Sequence, residues 1–433
     1  MKRQFKRYPC IEGFAEKLVE WIDQQPNGIC LRGEGWCQHF NESYEAIAGV
    51  GVRESYTSSL LNAATFIESN QDYVFVHLNY DVKNELHGLD SRHSERVSFP
   101  QWRIFIPNWI IKVQENHIEI GWMDDTHSSA EADLLIQQIS NQKENHQHAV
   151  GQKRTQSTWS KEAYLTALKK TLAHIQAGDI YQANICQEFY WEDVALHSAQ
   201  VFNQGFRTNP NPFSAFYKLD GMHCLCWSPE RFLTFNGRKI ISQPMKGTSP
   251  RGNTEAEDRM NFQSLQRSEK DRRENVMIVD MVRNDLSHFA EKNSVEVSEL
   301  YKVVTYPKVH QMHSTVTADL KRDVPFFDAL LKAFPMGSMT GAPKRRAMEI
   351  IEQIEATKRG LFSGTIGLIT PDGNADFNVV IRSLLYNEST KSLSCMVGGG
   401  ITAQSNIEDE FEESLVKFEP IRQLIESLEV QST

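Results

Sequence analysis

The 433-residue chain is 40% hydrophobic and 24% charged, an ordinary soluble composition with enough length to bury a substantial core in one large body or two to three domains. Its formal net charge of −10 argues against a general nucleic-acid binder, which needs a basic stripe for phosphate contacts. A small anionic ligand stays compatible, because a few local cations or a metal ion reverse the field.

The first nine residues are basic but lack the apolar run of a signal peptide, and no stretch reaches the length of a membrane span. Cysteines at positions 10, 30, 37, 186, 224, 226 and 395 include no Cys-x-x-Cys pair, so reduced thiols in a cytoplasm-like compartment are expected. Cys224 and Cys226 share one face of a strand, which reads as a metal pair or as plain strand packing. Residues 72–78 and 102–107 read as strands. A seam with almost no large apolar residue follows at 139–158. The expected organisation is an N-terminal lobe at 1–140, a polar linker or loop at 141–158, and a second domain at 159–428.

Beyond the seam, Ser160 is placed to cap a helix carrying Leu165, Leu168, Leu172 and Ile175 on one face and stopped by Gly178. Residues 179–191 read as a strand with Gln182 and Asn184 on one face. Alternation at Phe377, Val379, Ile381 and Ser383 predicts another, with Arg382 opposite. Strands interleaved with helices give an α+β, or mixed α/β, fold class.

Several segments carry chemistry. Lys246 stands between Pro244 and Pro250 with Gly247 directly after it. The prolines fix φ and the glycine permits a tight bend, so this is either a solvated turn lysine or an amine held for use as a nucleophile. Asp271 and Glu274, and likewise Glu410 and Glu413, are spaced three apart just ahead of helical runs. Either pair alone reads as first-turn carboxylates favouring the helix dipole; two pairs on facing helices would hold a hard cation such as Mg²⁺. Residues 335–344 read as a flexible loop entering a helix, where free amides beside Thr340 and Lys344 offer a carboxylate site. Gly398, Gly399 and Gly400 follow a strand and let backbone amides approach a second anion, or form a plain turn. Neither glycine cluster matches a dinucleotide fingerprint.

These residues in this order resemble the chorismate-utilising enzymes, which include anthranilate, aminodeoxychorismate, isochorismate and salicylate synthases. The likeness covers residues 160–425 and rests on six motifs. They are Gly178-Asp-Ile-Tyr-Gln-Ala-Asn184, Ser228-Pro-Glu-Arg-Phe232, Pro244-Met-Lys-Gly-Thr-Ser-Pro-Arg251, the run from Glu274 to Leu286, Thr340-Gly-Ala-Pro-Lys344 and Gly398-Gly-Gly-Ile401. The resemblance implies two packed antiparallel sheets flanked by helices, with the active site in the cleft between them and a divergent N-terminal lobe.

Lysine at 246 resembles the aminodeoxychorismate synthase component I branch, since the anthranilate branch usually carries alanine there. Glutamine at 182 stands where the water-adding branches place a basic lysine, so water addition is disfavoured. The resemblance then implies Lys246 as a covalent nucleophile and Glu230 as the acid for the departing hydroxyl. Glu274 and Glu413, with Asp271 and Glu410, would hold Mg²⁺. Arg382, Thr340 and Gly398 to Gly400 would bind carboxylates, with Lys344, Lys417 and Gln182 lining the cleft. Implied partners are chorismate, ammonia and a separate glutamine amidotransferase subunit, because no cysteine lies in a Gly-x-Cys-x-Gly setting. Anthranilate synthesis and a silent chorismate-binding subunit are the alternatives. Two positions depart from the family: Gln311, where the anthranilate branch has histidine, and Leu368, where tyrosine is frequent.

Overall fold

Strands such as Val74–Leu78, Phe213–Leu219 and Thr365–Ile369 are buried at every position, so they are covered on both faces. In the computed structural model, which describes residues 3–40, 44–143, 154–306 and 308–430, these strands lie inside two sheets. Among the described residues one sheet has 12 strands and the other 10. All their named pairings are antiparallel. The inward faces meet in one apolar core in which Leu31 and Ile47 of the first sheet join Val76, Ile104 and Leu233 of the second. Helices Phe14–Asp23, Ser198–Thr208 and Ile407–Val430 cover the first sheet's outer face with a second apolar layer. The fold is α+β, two packed antiparallel sheets with helices.

The helix capped by Ser160 spans Lys161–Gln176, and its cap accepts a hydrogen bond from the Ala163 amide at 3.2 Å. Leu168 and Ile175 are buried, while Leu165 and Leu172 are half-buried beside them. Gly178, two residues past the end, has φ 81°.

The strands of residues 1–140 do not stand apart as a lobe. Asn27–Arg32 pairs with Phe213–Leu219 in the first sheet, and Val74–Leu78 pairs with Thr365–Ile369 in the second. The proposed seam is therefore a division of the chain, across which both sheets run. Of the linker expected at 141–158, residues 144–153 lie outside the described residues, and Gln156–Ser157 pairs with the strand Gln182–Trp191.

One feature of the topology decides where the site forms. Met222–Ser228 lies in the first sheet and continues into Arg231–Asn236 in the second. Ala375–Asn378 in the second continues into Ser383–Asn387 in the first, and the strands pair in both sheets. A two-stranded ribbon thus crosses between sheets at residues 229–230 and 379–382. Two hydrogen bonds hold the crossing: Val379 N–H donates to Glu230 O and Trp227 N–H to Arg382 O, each at 3.0 Å. The single strand predicted from Phe377 to Ser383 is broken here, and Arg382 takes a φ of 51° as the chain turns. Alternation survives a sheet change, so the pattern could not reveal the break.

Arg231 anchors this ribbon. Its guanidinium pairs with Asp376 at 2.9 Å, both side chains fully buried, and also donates to Gly35 O at 2.6 Å. Removing one partner leaves an unpaired charge in the core, which costs about 3–5 kcal/mol. Asp376→Ala should lose stability of that order in urea unfolding. The double variant Arg231→Met, Asp376→Leu should lose much less, and equal losses would contradict this account.

Candidate active site

Lys246 lies on Met245–Pro250, an edge strand of the second sheet. Its register against Val309–Asp319 slips between Met245, opposite His313, and Thr248, opposite Gln311, so Lys246 and Gly247 together face Met312. Gly247 supplies the φ of 83° that this bulge uses. A Cβ there would stand 2.9 Å from the Asp271 side chain, so the helix Glu269–Ser287 packs on the bulge. The lysine reaches to the other sheet: its Nζ is 3.2 Å from where a Gly400 Cβ would sit.

Glu230 lies on the crossing ribbon and is 7% exposed. Burial pushes its carboxyl up to about 7, against the opposing pull of the Ser338 hydroxyl and the Lys246 charge. A carboxyl at that value exchanges its proton near neutral pH, as a general acid needs. Arg231 does not neutralise it, being committed to Asp376. Arg382, on the ribbon's other strand, is half-buried. Burial draws its guanidinium below the usual value, while Cys395 and Glu413 act the other way.

Asp271 and Glu274 sit inside the helix Glu269–Ser287, whose cap is Ser268, and Glu410 and Glu413 sit inside Ile407–Val430; neither pair precedes its helix as the sequence reading had it. The helices bring the pairs within electrostatic reach. Burial, with Glu413 and Asp271, pushes Glu274 up against Lys246 and Lys270. Burial, with Glu413 and Glu274, pushes Glu410 up. For Glu413 burial also acts upward, but Lys417, Lys246 and Lys270 outweigh it and hold the carboxyl low. Among the described residues no three His, Cys, Asp or Glu side chains converge as a metal site. Glu413 turns to Lys417 at 2.9 Å and Glu274 to Lys270 at 4.0 Å. The donors still suit a hard divalent cation, being all oxygen, mutually repelling and carried mostly on rotatable glutamates. Lys270 escaped the sequence reading, though its i,i+4 spacing to Glu274 was visible.

The remaining expected contacts divide. The three glycines lie within the strand Ser392–Thr402 instead of following it, and each has its own reason. A Cβ at Gly398 would meet Ile185 O at 2.4 Å, one at Gly399 would meet Glu410 at 3.2 Å, and Gly400 makes room for Lys246. Lys417 donates to Gly398 O at 2.9 Å. Gln182 is buried with its amide against the Met281 sulfur at 3.0 Å. Thr340 departs from expectation: its hydroxyl donates to Met336 O at 3.0 Å and is committed there. Lys344 departs too, its amine held by Asp285 at 2.8 Å and Ala333 O at 2.7 Å. Pro343 is the N-cap of Lys344–Ile354, not a first-turn residue, and Gly341–Ala342 pairs with Gln182 and Ala183, so that loop is pinned as a sheet edge.

At the departing positions, Leu368 is fully buried in the core between the sheets, and Gln311 is 7% exposed opposite Thr248. Of the neighbouring histidines, His310 is held by Asp258 at 3.0 Å and Thr305 at 2.9 Å, while His313, opposite Met245, is buried with its Nε2 unpartnered among the described residues. Cys224 and Cys226 are buried strand residues whose thiols burial pushes up, Cys226 to about 12. Among the described residues no helix is long and apolar enough to cross a membrane.

A lysine and a buried carboxyl between two antiparallel sheets, beside two facing acidic pairs, define a class. The chain belongs to the chorismate binding enzyme family, whose sequence profile matches residues 23–423. It is 36% identical over 355 residues to aminodeoxychorismate synthase component 1 of Klebsiella aerogenes, covering 80% of this chain and 76% of that protein. To the Escherichia coli protein of the same name it is 35% identical over 354 residues, covering 81% and 75%. Anthranilate synthase component 1 1 of Haloarcula marismortui is 37% identical over 263 residues, 60% of this chain and 53% of that one. The fold is shared with the menaquinone-specific isochorismate synthase of Escherichia coli, at a TM-score of 0.77 and 16% identity over 98% of this chain and 95% of that one. It is also shared with anthranilate synthase component I of Streptococcus pneumoniae, at 0.72 and 18% over 96% and 91%.

The glycine geometry separates two variants. Gly398→Ala drives a Cβ into strand backbone and should destabilise the fold by about 1–3 kcal/mol. Gly400→Ala meets only the far end of Lys246, so it should keep stability within about 1 kcal/mol and impair turnover. Thermal unfolding and activity of both variants test this, and equal destabilisation would refute it.

Proposed function

We propose that this chain is an aminodeoxychorismate synthase component I, converting chorismate and ammonia to 4-amino-4-deoxychorismate. The observation that carries the reading is the Lys246 amine set against Gly400, within electrostatic reach of a Glu230 carboxyl that burial pushes up to about 7. The relatives named aminodeoxychorismate synthase component 1 support it. Against water addition, Gln182 is an amide and cannot take a proton from water. Against the anthranilate branch, Gln311 stands where that branch has histidine.

In the proposed reaction the free Lys246 amine attacks ring C2. The C1=C2 and C5=C6 electron pairs shift to C1=C6 and C4=C5 as the C4–O bond breaks, and protonated Glu230 gives its proton to the departing hydroxyl, releasing water. Ammonia then adds at C4, the electron pairs shift back, Lys246 leaves C2, and the Glu230 carboxylate takes up the surplus proton. Arg382 and the backbone at Gly398 to Gly400 are the proposed carboxylate contacts. Thr340 and Lys344 drop out, because the hydroxyl is committed to Met336 O and the amine is held by Asp285 and Ala333 O. Glu274, Glu413, Glu410 and Asp271 would hold Mg²⁺, which supplies charge neutralisation to the ring carboxylate. Ammonia would come from a glutaminase partner, as the component numbering of the relatives implies, and the proposed setting is cytoplasmic.

The test is product identity. With chorismate, Mg²⁺ and ammonium, mass spectrometry should find 4-amino-4-deoxychorismate, which keeps the enolpyruvyl group. Anthranilate as main product would replace this reading, and unchanged chorismate despite binding would favour a silent subunit. Glu230→Gln should lower kcat roughly 10²–10⁴-fold with KM for chorismate within a few-fold. Without ammonia, intact-protein mass should show an adduct that Lys246→Met lacks; wild-type turnover in that variant would rule out the covalent route.

A further inference from the structure

The turn Gly337–Met339 faces Glu230 across a small pocket that both Glu230 and Ser338 line, together with Pro244, Ile278 and Asp285. Three successive carbonyls of this turn are clamped from outside. Ser338 O accepts from the Asn184 side chain at 3.1 Å, Met339 O from Arg359 at 2.6 Å, and Thr340 O from the Asn184 amide at 2.7 Å. Arg359 is itself 3% exposed and gripped by Glu355 at 2.6 Å, whose other contact is the Cys186 amide at 2.8 Å. These bonds hold Ser338 to Thr340 in place, and Ser338 lines the pocket from there. Its hydroxyl is buried and has no well-aligned hydrogen bond among the described residues. The Glu230 carboxyl, which lines the same pocket, is the acceptor on which that hydroxyl acts, drawing its proton affinity down. A buried hydroxyl with nothing else to bind gains most by donating to that carboxyl.

We propose that Ser338 is a positioning residue for Glu230: its hydroxyl orients the carboxyl across the pocket and stabilises the carboxylate left after proton transfer. The role rests on the reading of Glu230 as the acid, but the hydrogen bond itself can be tested without turnover. The other charged groups around Glu230 are Lys246 on the bulged strand, Asp285 paired with Lys344 at 2.8 Å, and Arg231 paired with Asp376 at 2.9 Å. None of them is altered by changing Ser338.

Between the ordinary carboxylate value and about 7 the folded state keeps a proton on Glu230 that the unfolded chain has lost, so stability falls as pH rises through that window. Urea midpoints of the full chain from pH 4.5 to 8.5 should show this fall, and Glu230→Gln should remove the share that Glu230 carries, leaving that of Glu95, which burial also pushes up to about 7. In Ser338→Ala the fall should extend upward by about one pH unit, because a donor to the charged form has gone. Ser338→Thr, which keeps the hydroxyl, should restore the wild-type window. In the kcat/KM profile for chorismate, the limb removed by Glu230→Gln should move upward by the same amount in Ser338→Ala while KM stays within a few-fold. An unmoved window in Ser338→Ala, or a Thr variant that behaves like Ala, overturns the proposal. If the window moves but the product is not 4-amino-4-deoxychorismate, the hydrogen bond stands and the functional reading fails.

Discussion

The buried pair of Arg231 and Asp376 is the constraint around which the rest of the site is arranged. Both charges are out of water, so each is tolerable only while the other is in place. Arg231 sits on the ribbon strand entering the second sheet and Asp376 on the strand leaving it. Holding them together fixes the ribbon at the point where it bridges the sheets. Glu230 is the residue immediately before Arg231, and Arg382 is six beyond Asp376. Two candidate site residues are therefore placed by one buried ion pair.

The same crossing explains the character of Glu230. Chain passing between two sheets has core on both sides, so the residue at the crossing is desolvated whatever its identity. The acidic pairs are treated less uniformly. They sit near the starts of long helices, Glu274 half-buried and Glu413 exposed, beside Lys246, Lys270 and Lys417. Burial pushes Glu274 and Glu410 up as it does Glu230, whereas at Glu413 the surrounding amines outweigh burial and hold the carboxyl low.

Glycine lets these groups approach. At Gly400 the missing side chain makes room for the Lys246 amine, and at Gly399 it makes room for Glu410. Successive strand residues point to opposite faces, so the backbone of a single strand stands between the amine and the carboxylate. Neither could approach so closely if the strand carried side chains. Gly247 does the same for the bulge against Asp271.

Much of this was legible in the residues alone. The motifs around Lys246, Glu230 and the acidic pairs marked candidate reactive groups because such groups need particular residue types at particular local spacings. Ser160 and Gly178 marked a helix because capping is settled within a few residues. What the sequence could not show was which distant groups share a neighbourhood. Thr340 and Lys344 looked available until folding gave their donors to Met336 and Asp285. The alternation from Phe377 to Ser383 looked like one strand until the chain changed sheets within it. Nor could the sequence show that strands of residues 1–140 pair into both sheets. Local pattern determines what each segment can form and which face is apolar. Burial, and with it the protonation of Glu230, depends on what long-range strand pairing brings to cover that face, and only the tertiary structure decided that.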